Sequence, residues 1–313
     1  MLRLAMTTDA ETFDRVREPL ADRGIAVEHV RAKERSLRVA GGESDGGQSA
    51  IDGDGDGRQS AADVDGEFDG FDVGFVYPSR LMEGAVVDAR LSVPWVNGRD
   101  AVLASRNKAG ALAALDDAGL PTPRTTLVSN PVDEAVVTDA VSSFSYPVVV
   151  KPNSATRGVG VATAGDLDSL LGVVDYLNLV HDYRATGDKS YLIQEFLPDA
   201  RDYRAMVVDG AYAGAVRREL PADARERGRW KHNVHRGAEA TGVDLPERAR
   251  GLAERTADVL GIDYLGVDLL ETDDRLVVSE TNARPTVDAA TKYEPDFYDR
   301  LAGLVERTAA REN

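Results

Sequence analysis

Three side chains in the last third of the chain have the types and spacing of an oxygen-ligand set: Asp268, Glu280 and Asn282. They sit in two β-type runs, Tyr264 to Leu270 and Arg275 to Glu280, with turn chemistry at Thr272-Asp-Asp274 between them. Residues two apart in a strand share a face. Asp268 therefore goes with Tyr264 and Leu270, and Glu280 and Asn282 go with Leu276 and Val278. With Glu271 opposite Arg275, Asp268 faces Val278 and lies diagonal to Glu280, about 7–8 Å away. Such a trio suits Mg²⁺, which keeps waters and shares substrate phosphates rather than sitting in an all-protein cage. The plainer reading is a surface hairpin with solvated acids. Against it, both acids interrupt apolar runs, and a carboxylate on a buried strand face is costly without a cation.

A second stretch concerns phosphate. Tyr146-Pro-Val-Val-Val-Lys-Pro152 is a buried strand that delivers Lys151. Asn153 to Gly160 is a loop of mostly small residues that turns back into Val159 to Thr163. Small residues let backbone N–H groups approach phosphate oxygens, and a strand can aim an ammonium at the same anion. The loop is no Walker sequence, since no Gly-Lys-Ser/Thr follows, and no Rossmann fingerprint, since no third Gly opens a helix. Val-Val-Val-Lys resembles the kinase lysine strand, but the Gly loop follows the lysine and His-Arg-Asp is absent. A hairpin bend with a snorkelling lysine is the other reading.

The elements that position these residues fall into an α/β order. The chain has 313 residues, enough for two domains, a net charge of −17 and no cysteine. The charge excludes a nucleic-acid binder and disfavours anionic membrane surfaces; it also fits a salt-tolerant, halophilic surface. The lack of cysteine excludes disulfides, thiolate metal sites and a Cys nucleophile. No apolar run approaches the ~18–20 residues that span a bilayer, so a cytoplasmic protein is expected. Leu2 to Met6, Ala10 to Arg23 and Ile25 to Val30 read as β-α-β, the start of a parallel sheet. Residues 41–70 hold nine Gly and nine acids against one Arg, too polar to order themselves, and read as a flexible acidic insertion. Asp52 to Asp63 within it has calcium-loop spacing, but Gln59 stands where an apolar residue belongs and no flanking helices are visible. The sheet resumes at Asp72 to Tyr77. A helix from Ser105 to Ala118, capped by Ser105, and helices from Pro131, Asp166, Pro246 and Pro295 follow. Asp202 to Val208 and Ala211 to Glu219 form a hairpin across Asp209-Gly210. Trp230 to Gly237 is a polar loop over the site; His232 and His235 lack a third His or Cys for a metal.

Taken in order, these pieces resemble the ATP-grasp superfamily, and more closely the RimK-type α-L-glutamate ligases. The likeness covers about residues 93 to 285. It rests on Val96-Asn97, Ser105-Arg-Asn-Lys108, Gly119-Leu-Pro-Thr-Pro-Arg124, the Lys151 strand, Gly158-Val-Gly160 and Ile193-Gln-Glu-Phe196. Asp202-Tyr-Arg204, Asn233-Val-His-Arg-Gly237, Gly266-Val-Asp-Leu-Leu270 and Glu280-Thr-Asn282 complete the ordered set. The resemblance implies an α+β ATP-grasp fold: a parallel-sheet pre-grasp domain at 1–100, a small subdomain with the phosphate lid at 101–188, and a C-terminal subdomain with the metal site at 189–313.

The resemblance also implies roles. Lys108 and Lys151 hold ATP phosphates under a lid with Thr156, Arg157, Gly158 and Gly160. Gln194, Glu195, Phe196 and Leu197 read adenine, largely through backbone groups, and Asp202 takes the ribose. Arg204, Arg217 and Asn233 meet the transferring phosphoryl group or the substrate. Asp268, Glu280 and Asn282 hold Mg²⁺, with Mn²⁺ an alternative. The implied reaction joins a small-molecule or peptide carboxylate to an amine through an acyl phosphate, the amine belonging to an amino acid such as L-glutamate. Three departures from the family pattern stand out, and the first two bear on the substrate. The lid reads Ala155-Thr-Arg-Gly-Val-Gly160 where the family usually has Gly-Ser-x-Gly-Lys-Gly. Arg284 stands where many relatives have Ser or Thr, and the insertion is foreign to the family. A ligase for another amino acid, a peptide or a natural-product precursor, and a non-catalytic nucleotide binder, are the alternatives. A homo-oligomer is left open.

Overall fold

The computed structural model describes all residues except 9, 38, 40–65, 157, 181–187, 233, 235–236, 290–291 and 312–313. The calcium-loop string and most of the acidic insertion lie outside the described residues.

The chain opens as expected with β1 (Leu2–Met6), α1 (Ala10–Ala21) and β2 (Ile25–His29), and then β3 (Val73–Phe75), α2 (Leu81–Leu91) and β4 (Trp95–Val96). These four strands form one parallel sheet in the order β2-β1-β3-β4. Described structure resumes at Gly66, inside the segment expected to be flexible. Phe68 is buried beside Ala5, Val30, Val87 and Leu91, and Glu67 pairs with Arg35 at 2.6 Å. One aromatic with a core to enter outweighs the polar composition around it.

The expected helix from Ser105 is two helices, α3 (Arg99–Arg106) and α4 (Lys108–Asp117). Asn107 breaks the run: its Oδ1 accepts the Gly110 N–H at 3.1 Å, so Asn107 rather than Ser105 caps α4. Ser105 is buried and accepts the Ala283 N–H at 2.9 Å. Next come β5 (Thr125–Val128), α5 (Glu134–Val141), β6 (Val148–Pro152), β7 (Ala162–Ala164), α6 (Leu167–Val180) and β8 (Tyr191–Glu195). They make an antiparallel sheet, β5-β8-β6-β7, with α5 and α6 closing a core of Val148, Val150, Leu170 and Ile193.

The remaining strands are β9 (Arg201–Val208), β10 (Ala211–Glu219), β11 (Glu239–Val243), β12 (Tyr264–Glu271) and β13 (Leu276–Asn282). They form a five-stranded antiparallel sheet, β11-β10-β9-β12-β13, accompanied by helices α7 (Ala222–Glu226), α8 (Glu247–Leu260) and α9 (Phe297–Ala309). Leu265, Val267 and Leu269 of β12 are fully buried and share one core with Leu4, Met6 and Phe75 of the parallel sheet. Asn97, itself buried, ties the two together by donating to the carbonyls of Tyr264 and Ala283. The parallel sheet is thus fastened to the C-terminal sheet, while the sheet β5-β8-β6-β7 carries a core of its own.

Two bulges decide which side chains face the site. In the β12–β13 hairpin Glu271 pairs with Leu276 rather than Arg275, and the register slips at Ser279, so that Asp268 stands directly opposite Glu280. The expected placement of Asp268 opposite Val278 is therefore corrected: Val278 pairs with Leu269 on the core face, and the extra residue turns Glu280 to the other side. In the β9–β10 hairpin the register slips between Tyr212 and Gly214, pairing Asp202 with Arg218 and Arg204 with Val216.

Candidate active site

Where the two antiparallel sheets meet, a cleft of about 620 Å³ opens between them and the parallel sheet. Its described lining holds seven cations, Arg15, Arg106, Lys108, Arg204, Arg218, Arg284 and Lys292, against four carboxylates, Glu11, Asp268, Glu280 and Asp288. In a chain of net charge −17 that excess marks a place for an anion.

Lys108 opens α4 and is buried; its Nζ donates to the carbonyls of Asn153, at 3.3 Å, and Ala155, and lies 3.4 Å from Glu280 Oε1. Lys151 reaches across from β6 and donates to the Ser279 carbonyl at 3.3 Å. Burial brings the Lys151 ammonium down to about 8; Glu280 pulls it up and Lys108 pushes it down. Both lysines thus converge on the strand that carries Glu280. Thr156 and Gly158 border the same cleft. Gly160 lies just beyond it with φ +73°, and a Cβ there would come within 2.7 Å of the Pro152 ring. Arg157 and Asn233 lie outside the described residues.

At the centre of the sheet Arg204 grips Asp268 with two parallel bonds, Nε to Oδ1 at 2.7 Å and Nη2 to Oδ2 at 2.9 Å. Arg218 adds a third contact to Oδ2 at 3.0 Å and holds Asp202 Oδ1 at 2.5 and 2.8 Å. His232 Nδ1 lies 3.7 Å from the other Asp202 oxygen. Burial alone would raise the Asp268 carboxyl, but Arg204 and Arg218 outweigh it and hold it down at about 2. Burial pushes the Asp202 carboxyl up to about 6, and the like charge of Asp268 works against the pull of Arg218. Arg218 itself would lose its proton more easily through burial; Asp268 and Asp202 reverse that and hold it above its ordinary value.

The other expected side chains are placed as follows. Arg217 pairs with Tyr203 on the opposite face of the sheet and its guanidinium meets Glu219 at 3.0 Å. Arg218 borders the cleft and meets Asp268 instead, a residue that the resemblance did not single out. Asp202 does not border the cleft, and its carboxylate is the counterion of Arg218. Gln194, Glu195, Phe196 and Leu197 do not border it either. Gln194 is buried and donates to Thr125 Oγ1 at 2.7 Å. Glu195 binds Arg275 at 2.7 and 3.0 Å, and Phe196 meets Trp230 edge-on at 5.8 Å. These side chains are committed to the protein, so a nucleotide would meet only the backbone there. Lys231 donates to the Val161 carbonyl, which joins the Trp230 loop to the far end of the Gly158 loop.

The donor set is compatible with a hard divalent ion. Three of the roughly four lone-pair directions of the Asp268 carboxylate are taken by guanidinium hydrogens, which leaves one. Asn282 Oδ1 accepts the Arg284 N–H at 2.9 Å and likewise keeps one lone pair. Among the described residues no three of His, Cys, Asp or Glu gather at one point. Two carboxylates and one amide suit an ion completed by water and phosphate oxygens, not a protein cage.

The RimK-like ATP-grasp domain family matches the chain over residues 105–296. The chain belongs to the RimK-like ATP-grasp family. It is accordingly an ATP-dependent ligase that forms amide bonds. A probable α-L-glutamate ligase of Citrobacter koseri is 30% identical to it over 220 residues, 69% of each chain. A RimK-domain ATP-grasp protein of Sphaerobacter thermophilus shares the fold at a TM-score of 0.63 and 23% identity, covering 97% of this chain and 99% of that one. The D-alanine–D-alanine ligase of Bacillus anthracis, solved with ATP, aligns at a TM-score of 0.67 and 16% identity over 99% of this ATP-grasp chain and 98% of its own. No helix among the described residues is long and apolar enough to cross a membrane.

Proposed function

We propose that this ATP-grasp ligase joins an amino acid, with L-glutamate the leading choice, to a small-molecule or peptide carboxylate at the Lys108–Glu280–Asp268 end of the cleft. The observation that carries the site assignment is the convergence of Lys108 and Lys151, from two separate segments, on β13 beside Glu280. Lys108 and Lys151 would hold the triphosphate, with Thr156, Gly158 and Gly160 folding over it. The backbone of 194–197 would meet the adenine. Asp268, Glu280 and Asn282 would hold Mg²⁺, which supplies neutralisation of the charge that spreads over the γ-phosphoryl group.

In the first step a substrate carboxylate oxygen attacks the γ-phosphorus, an O–P bond forms and ADP leaves. Arg204 and Arg218, fixed by Asp268, would face the developing charge with preorganised donors. In the second step the amine attacks the acyl carbon, the C–O bond to phosphate breaks and the amine sheds a proton. Closure of the loop at 153–161 onto the Trp230 loop, through Lys231, would keep water from the acyl phosphate. The names of the relatives support an amino-acid substrate: a probable α-L-glutamate ligase and a D-alanine–D-alanine ligase. The second of these favours the alternative reading, an amino acid other than glutamate. The test is ADP release in a matrix of carboxylates and amines with MgATP, with the product masses measured. Release that needs both an acid and an amine, and a product lighter than their sum by one water, supports the proposal. Release with neither, or none at all, contradicts it.

A further inference from the structure

The cleft has a second end that the phosphate grip does not use, built on the parallel sheet. In the order β2-β1-β3-β4 the neighbours of β1 lie on opposite sides, so the loops after β1 and β3 diverge and leave a crevice at the carboxyl ends of the strands. Crevices of this kind are where open α/β sheets take ligands. Thr8, from the loop after β1, and Ser79, from the loop after β3, both border the cleft. Thr8 is 6% exposed, and among the described residues its Oγ1 has no hydrogen-bond partner. A buried hydroxyl left unsatisfied is destabilising, so its presence needs a reason.

Three further features meet there. The first turn of α1 borders the cleft through Glu11 and Thr12, and the N–H groups of a first helical turn have no partner within the helix. Val76 has φ +59°, a conformation that a β-branched residue rarely adopts. It is held there by Thr7 Oγ1, which donates to its carbonyl at 2.5 Å, and by Arg284, which donates to it at 3.2 Å. Strain of this kind is maintained at functional sites. Arg15 and Lys292 line the same cleft; both hold Asp288, at 3.5 and 2.8 Å, and Arg15 also holds Glu11 at 2.7 Å and the Val287 carbonyl at 2.6 Å, so a substrate carboxylate would share the two cations with Asp288 and Glu11.

We infer that this crevice, through Thr8 Oγ1 and the first-turn N–H groups of α1, with Arg15 and Lys292 on the same lining, binds a carboxylate of the substrate other than the one that is phosphorylated. Such a group has two sources, a second carboxylate of the acceptor acid or the free carboxylate of the amino acid that brings the amine. The inference deepens the ligase reading and rests on it for the choice between these sources.

The experiment uses the full chain loaded with Mg²⁺ and a non-hydrolysable ATP analogue. Glutarate, L-alanine and L-alaninamide are titrated by calorimetry into wild type and Thr8→Val. At least one of the two carboxylates binds wild type saturably, the amide does not, and Thr8→Val weakens that carboxylate about tenfold or more, the loss of one charge-assisted hydrogen bond. Affinity for the ATP analogue is unchanged. The ligand-free variant melts at or above the wild-type temperature, because the unsatisfied hydroxyl is gone. The probe that loses affinity, glutarate or L-alanine, names the source. Failure of both acids to bind wild type overturns the inference. So does equal binding to both proteins, or a lower melting temperature of the variant, which would mean that the hydroxyl has a structural partner. If ADP release fails in the substrate matrix while this binding difference persists, the ligase reading falls and the carboxylate subsite stands.

Discussion

Asp268→Asn tests the network at the centre of the site. The substitution keeps the shape and one acceptor, but it removes the charge that faces two guanidinium groups and turns an amide N–H toward them. Asp268 accepts three contacts of 2.7, 2.9 and 3.0 Å, and its side chain is 10% exposed. Breaking a buried ion pair by removing one partner costs about 3–5 kcal/mol. Asp202 remains to hold Arg218, so the lower end, about 3 kcal/mol, is expected. The carboxyl's own titration gives a second route to the size. Its pKa is 3.8 unperturbed and about 2 in the fold, and a gap of that size corresponds to about 2–3 kcal/mol. The sign follows from linkage: the depressed carboxyl stabilises the fold above its unfolded pKa and loses that contribution as pH falls toward 2. Urea unfolding followed by circular dichroism should show the deficit in full at pH 7, shrinking between pH 4 and 3. A double-mutant cycle with Arg204→Gln should return a coupling of about 2–3 kcal/mol. A variant within about 0.5 kcal/mol of wild type at pH 7, the range of an ordinary surface change, would refute the reasoning.

Other outcomes follow from the same geometry. Arg217→Ala should leave ADP release near the wild-type rate, whereas Arg218→Ala should lower it by about 100-fold or more, the scale of losing one transition-state donor; equal effects would contradict the assignment of faces. Gly214 sits at φ +127° with a Cβ position 2.6 Å from the Tyr293 backbone; Gly214→Ala should cost about 1–3 kcal/mol by chemical denaturation. Lys151 is depressed in the fold, so the unfolded chain binds more protons above pH 8. Wild type should therefore gain stability relative to Lys151→Met as pH rises from 8 to 10, while its affinity for the ATP analogue declines over the same range. Glu280→Gln should raise the Mg²⁺ concentration needed for half-maximal ADP release with less effect on folding, since its side chain is 38% exposed.

Residue types brought out most of the side chains that the candidate site gathers, and the expected pairing failed where the backbone departs from regular register. Period-two alternation put Asp268 and Glu280 on one face, Lys151 came from the strand that delivers it, and Lys108 came only from the family resemblance. The direct pairing of Asp268 with Glu280 and the pairing of Arg218 with Asp202 depend on two bulges. One had a signal, the glycine at 214 inside a strand run; the bulge at Ser279 had none that local propensity could supply. The break between α3 and α4 was written in Asn107, as good a cap as the serine that was credited with the role. Phe68 was hidden by its neighbours, because composition averages over a window while burial acts on single side chains. The unpartnered Thr8 hydroxyl could not be read at all, since a missing hydrogen bond is a property of packing.

The most direct test of the account is a crystal structure with a non-hydrolysable ATP analogue and Mn²⁺, whose anomalous signal marks the ion. The account predicts the anomalous peak between Asp268 and Glu280, with the β- and γ-phosphates against Lys108 and Lys151 and the adenine along the backbone of 194–197. A triphosphate seated elsewhere, or an ion that leaves Asp268 and Glu280 untouched, would contradict it.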